Sequence, residues 1–171
     1  MTLTTILAIA AGSVAVLALG TFLLPARVHV ERSAVIDAAP AEIIALVASN
    51  SAYQRINPYR TSDTDLKVTL FGPDSGVGSG FHFEGAEGKG TQTVASVSPT
   101  RVVFDIDLGP MGKPTQTVTL SPTSGGTKVT WGMDADMGMN PVARIVGLFM
   151  DRMMGKTFDQ GLSNLATVTK A

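Results

Sequence analysis

The alternation of apolar and polar residues after position 27 predicts a sheet followed by a long helix. Val28 to Asp37 reads as a strand. Pro40 opens a helix to about Ser49, with Glu42 favourably placed in its first turn. A second short helix or irregular turn covers Ser51 to Asn57, and Pro58 is expected to end it. Six strands follow, at Leu66–Phe71, Gly80–Glu84, Gly90–Val97, Arg101–Leu108, Thr115–Ser121 and Thr127–Ala135. Short Gly-, Pro- and Ser-rich turns separate them, which predicts an antiparallel meander. Pro141 then opens a helix reaching about Thr167.

Parity sorts the strand faces. Val102, Phe104, Ile106 and Leu108 oppose Asp105 and Asp107; Phe81 and Phe83 oppose His82 and Glu84. Val118 and Leu120 oppose Thr117 and Thr119, and Val129, Trp131, Met133 and Ala135 oppose Thr130, Asp134 and Asp136. One apolar face per strand predicts a curved sheet covered on one side, with the last helix as its cover. On that helix Val142, Ile145, Val146, Phe149 and Met153 form one apolar cluster, and Phe158, Leu162 and Leu165 a second, about 130° away. The phase change near Met154-Gly155 predicts a bend or twist of the buried stripe there.

The opening stretch has a different pattern. Residues 2–24 carry no charged side chain; every Lys, Arg, Asp and Glu and both histidines lie beyond them. At about 1.5 Å per residue such a run reaches about 34 Å as a helix, enough for a hydrocarbon core about 30 Å thick. Nothing basic precedes the apolar core, and the core is longer than that of a signal peptide. The expectation is a retained transmembrane anchor over 1–26 and a single domain over 27–171. Arg27 and Arg32 follow the span and no Lys or Arg precedes it, so the positive-inside rule favours a single-pass protein with a cytoplasmic C-terminal domain.

Composition narrows the chemistry. The formal net charge of −1 gives no basic excess for nucleic acid. The chain has no cysteine, so disulfides, thiolate zinc sites and cysteine nucleophiles are out. The Gly76–Gly80 and Gly85–Gly90 stretches lead into strands rather than helices, which makes them hairpin turns and not phosphate loops. His82 with Glu84 would be an acid/base pair only if their face lined a cavity, and Phe81 and Phe83 claim the apolar side. Asp105 with Asp107 and Asp134 with Asp136 fall on wet faces without a third ligand, so neither a metal nor a cofactor is expected. Met111, Met133, Met137, Met139, Met150, Met153 and Met154 all lie in the last 61 residues. Such flexible thioethers fill a core or line a deformable apolar site.

The order strand, two short helices, six strands, long helix is that of the helix-grip fold. Val35-Ile36-Asp37-Ala38-Ala39-Pro40-Ala41-Glu42, Gly76–Gly80, Gly88–Thr91, Gly126–Trp131 and Gly155–Leu162 resemble the SRPBCC (START-like) superfamily, in its membrane-anchored bacterial branch of polyketide cyclase/dehydrase and lipid transport proteins. The resemblance covers nearly all of 27–171. It implies an α+β helix-grip domain, a curved antiparallel sheet wrapped on the C-terminal helix, preceded here by one transmembrane helix. Relatives often carry tryptophans after the first helix, where this chain has Tyr53 and Tyr59.

The resulting expectation is a membrane-tethered domain that binds a hydrophobic small molecule or lipid between sheet and helix. Its lining would be Phe81, Phe83, Phe104, Ile106, Val118, Trp131, Met133, Phe149 and Met153. Burial is the role of these residues, and the reading leans away from an enzyme. A cyclase/dehydratase-type enzyme would need an inward acid or base, with Tyr53, Arg55, Tyr59 and His82 the candidates. A non-catalytic interaction module of the cell envelope would show a filled core and an exposed apolar patch.

Overall fold

The computed structural model describes residues 2, 4, 5, 12 and 20–170. Most of the expected anchor lies outside the described residues. Among the described residues no helix is long and apolar enough to cross a membrane.

Seven strands form one sheet: β1 (Arg27–Ile36), β2 (Lys67–Phe71), β3 (Gly80–Gly85), β4 (Gly88–Ser98), β5 (Arg101–Asp107), β6 (Thr115–Thr123) and β7 (Gly126–Asp136). Their spatial order is β1-β7-β6-β5-β4-β3-β2, and every pairing is antiparallel. Strands β2 to β7 make the predicted meander, and β1 closes against β7. A register shift between Val94 and Ser96 bulges β4 and adds curvature. The hairpin Gly85–Gly88 joins β3 to β4, so this glycine-rich stretch is a turn.

Three short helices link β1 to β2: α1 (Pro40–Val47), α2 (Asn50–Tyr53) and α3 (Pro58–Ser62). The third corrects the expectation at Pro58, which begins a helix instead of ending one. Asn57 caps it by accepting from the Tyr59 N–H at 3.1 Å, and proline suits the first turn because its missing donor would have no partner there.

The C-terminal helix is two helices, α4 (Pro141–Gly147) and α5 (Met150–Val168). The break falls at Leu148-Phe149 and not at Met154-Gly155. Leu148 and Phe149 donate to Ile145 and Val146, three residues back, which tightens the turn between the two segments. The two apolar clusters also part company. Phe158, Leu162 and Leu165 are buried against the sheet, whereas Val142, Ile145, Val146, Phe149 and Met153 are exposed. Gly155 serves a contact, because a Cβ there would collide with the Arg32 guanidinium lying across α5.

The core lies between the concave sheet face and α1, α2 and α5. Val30, Ile36, Ile43, Val47, Ile56, Val102, Phe104, Val118, Val129, Trp131, Phe158 and Leu165 are its most buried members. The parity reading holds, since inward residues of β5, β6 and β7 are buried or half-buried.

Candidate ligand-binding site

Strand register sets the concave face in rows. Phe81, Gln92 and Ile106 stand side by side across β3, β4 and β5. The next row runs Val94, Phe104, Gln116, Met133, Val30, and the one after it Val102, Val118, Trp131, Arg32. From α2, the Tyr53 ring descends onto this surface, 5.5 Å from Phe81, 5.7 Å from Phe104 and 6.0 Å from Trp131 between centroids. Phe158 of α5 stacks on Trp131 at 5.9 Å and 12°.

Two amides punctuate this apolar surface. Gln116 accepts from the Trp131 Nε1–H at 3.3 Å. Gln92 meets the Tyr53 hydroxyl, and both glutamines are buried. Burial pushes the Tyr53 phenol well above its ordinary value, with the Gln92 hydrogen bond opposing the shift. Tyr59, on α3, is pushed up to about 12 by burial, with the negative charge of Glu87 adding to it. Both phenols therefore stay protonated across the physiological range and are not bases. The Tyr59 hydroxyl points to Met154 Sδ at 3.9 Å, where α3 meets α5.

Of the expected lining, Phe81, Phe104, Ile106, Val118, Trp131 and Met133 are buried on the concave face, and Phe83 is half-buried beside Phe81. Phe149 and Met153 are not enclosed; they are 57% and 55% exposed. On α5 Met153 lies about 140° around the axis from the buried Phe158, so the face that seats Phe158 on the sheet turns Met153 outward, and Phe149, just before the helix, faces outward with it. Gln92 and Gln116 were missed. The signal was available, since each shares parity with a buried valine, Val94 and Val118, and a glutamine on a core parity needs an internal partner.

The rings themselves meet across the grip, Tyr53 with Phe81, Phe104 and Trp131, and Trp131 with Phe158. Two open concavities lie elsewhere. One, of about 250 Å³, is bordered by Pro25, Arg27, Val28, His29, Arg144, Gly147, Leu148 and Asp151. Another, of about 530 Å³, is bordered by Thr91, Thr93, Asp105, Ile106, Asp107, Lys113 and Pro114.

The remaining candidates sit on outer faces. His82 and Glu84 are exposed, with His82 against the Phe71 ring at 4.7 Å. Arg55 is exposed. Asp107 pairs with Lys113 at 2.8 Å and Asp134 with His29 at 2.8 Å. Among the described residues no group of three or more His, Cys, Asp or Glu is placed to hold a metal ion.

A curved antiparallel sheet gripping a C-terminal helix, with rings and a few paired amides between them, defines the helix-grip class of α+β domains. The sequence matches the family described as polyketide cyclase / dehydrase and lipid transport over residues 27–170, and the chain belongs to that family. No curated protein matches it. Solved structures share the fold at low identity. Protein CV1439 from Chromobacterium violaceum is 16% identical with a TM-score of 0.62, over 84% of this chain and 99% of that one. The KanY protein is 16% identical with a TM-score of 0.66, over 85% and 99%. The di-domain ARO/CYC StfQ from the steffimycin biosynthetic pathway is 9% identical with a TM-score of 0.62, over 84% of this chain and 51% of that one.

Proposed function

We propose that this chain binds a hydrophobic small molecule or lipid between the concave sheet face and α5, while residues 2–24 tether it to a membrane. The observation that carries the reading is the concave face itself. Aromatic and aliphatic side chains cover it, and Gln92 and Gln116 supply the few internal amides that would orient an apolar guest. Family membership supports the same class of ligand.

Tyr53 and Phe158 pack on the Trp131 ring, so a guest in the grip would displace side chains. The proposed entry is the α3–α5 junction, where the Tyr59 hydroxyl meets Met154 Sδ at 3.9 Å and Asn164 Nδ2 donates to Thr61 Oγ1 at 3.1 Å. Met154 and Met150, half-buried against the core, are the flexible groups that would yield. The uncharged run ahead of Pro25 would hold this seam near the bilayer where apolar ligands concentrate. Arg27 and Arg32 behind it favour a cytoplasmic domain.

Native mass spectrometry of the full chain, extracted in mild detergent from its own host, tests the binding. Expected is a fraction carrying one additional apolar mass that is released on unfolding. A bare chain under every gentle condition, with no uptake of added lipids, would refute it.

One observation favours a second reading, a cyclase/dehydratase-type enzyme. The Tyr53 phenol, kept neutral by burial and seated on Gln92, could donate to a substrate carbonyl. Tyr53→Phe separates the two readings: a binder retains its ligand, whereas an enzyme loses turnover of a polyketide-like substrate while still binding it.

A further inference from the structure

The apolar cluster that sequence alone assigns to the core is on the outside. Val142, Ile145, Val146, Phe149 and Met153 are each more than 40% exposed, and they share one side of α4 and the first turn of α5. Scattered apolar residues on a surface need no explanation, but a contiguous group of this kind marks a contact.

Three features identify what it contacts. First, the patch is joined to the end of the uncharged run. Arg144 of α4 is buried, and its Nη1 donates to the carbonyls of Phe22 and Leu24 at 2.9 and 3.0 Å. Its guanidinium also lies 5.3 Å from the Phe22 ring centroid. Leu23, 91% exposed, is thereby fixed beside α4. Second, the charges sort by sign. Arg152 and Lys156 are exposed beside the apolar group, while Asp151 is turned away and tied to Arg32 at 2.9 Å. Third, the helix is short, is capped at its start by Asn140, which accepts from the Val142 and Ala143 N–H groups, and turns Val142, Ile145 and Val146 outward. An apolar stripe edged by cations suits the headgroup–acyl boundary of an anionic bilayer.

We infer that α4 and the first turn of α5 lie on the bilayer surface, with Val142, Val146, Phe149 and Met153 in the acyl boundary and Arg152 and Lys156 among anionic headgroups. The inference rests on the tether proposed above. Arg144 clamps the exit of the tether to α4, so a chain anchored by residues 2–24 delivers this face to the membrane. The contact would orient the domain in addition to holding it nearby.

The absence of cysteine allows single reporters in the full-length chain. Val146→Cys and Met153→Cys place an environment-sensitive fluorophore on the patch, and Lys128→Cys places one near the opposite end of β7. Each chain is reconstituted into phosphatidylcholine vesicles containing phosphatidylglycerol, with and without doxyl-labelled lipid. Expected are blue-shifted emission at 146 and 153 and several-fold stronger quenching there than at 128. Phe149→Asp should abolish that difference in a chain that still floats with the vesicles. Vesicle-bound chains whose labels at 146 and 153 stay in water overturn the surface contact and leave the tether standing. Chains that do not float overturn both. Labels that are shielded yet insensitive to doxyl lipid, with energy transfer between chains, overturn the contact in favour of a second copy.

Discussion

Trp131 and Gly161 illustrate how closely single residues define the grip. Trp131 is 1% exposed between Phe158 and the edge of Tyr53, and α5 passes directly over its ring. A Cβ at position 161 would stand 2.6 Å from Trp131 Cζ3, and the ring has no free side to move toward. Gly161→Ala would gain about 1 kcal/mol of helix propensity. Overpacking the core costs about 1–3 kcal/mol and should outweigh it. The expected net loss is about 1 kcal/mol, read as a lower urea midpoint; a higher midpoint would show that α5 is not seated on the ring. His29 gives a pH signature. Its hydrogen bond to Asp134 at 2.8 Å, and a longer one to Glu31, raise its pKa. A histidine raised by folding contributes stability that is complete below its unfolded value, about 6.5, and is lost as pH rises through the folded value. Thermal unfolding should therefore show slightly lower stability at alkaline than at mildly acidic pH through this group. His29→Asn should remove that component. An unchanged pH profile in the variant would mean the β1–β7 contact contributes nothing.

Among the elements, the strands were legible and the helix ends were not. β3, β5, β6 and β7 alternate in parity and are bounded by turn residues, so their core and solvent faces follow before any register is known; β4, with its Gly-Lys-Gly-Thr-Gln-Thr start and its bulge, does not alternate so cleanly. The Asn-Pro pairs at 57–58 and 140–141 carry the same capping signal, yet a proline also disfavours helix at the residue before it, so Pro58 reads equally as the end of the preceding segment. The break at Leu148-Phe149 has no glycine or proline to announce it. Gly155 drew attention instead, although its role is to admit Arg32. A phase change in an apolar stripe locates a change of surroundings, and it does not say which side is buried in the protein. Arg144 was likewise invisible, since nothing in the sequence reveals a guanidinium spent on backbone carbonyls. Arg144→Ala should leave the sheet intact and free the segment before β1. Limited proteolysis should then cut within residues 21–26 much faster than in the parent chain. Equal cutting rates would show that the segment is held by other contacts.

For the whole molecule, the helix-grip architecture follows from element order, while its interior chemistry does not. Seven of the nine residues expected to line the grip lie on its inner face, because parity fixes orientation. Parity does not reveal whether the space between sheet and helix is open, since that depends on how deeply Tyr53 and Phe158 descend. Here both rings meet Trp131, Tyr53 at 6.0 Å and Phe158 at 5.9 Å between centroids. The single tryptophan offers a direct measurement. A brominated fatty acid quenches indole only in near contact, so it reports whether an acyl chain reaches the concave face. Saturable quenching of Trp131, stronger in Met154→Ala where the α3–α5 seam is loosened, is the expected result. Emission unmoved by the brominated chain in both the parent and Met154→Ala, while the protein remains folded, would contradict binding in the grip.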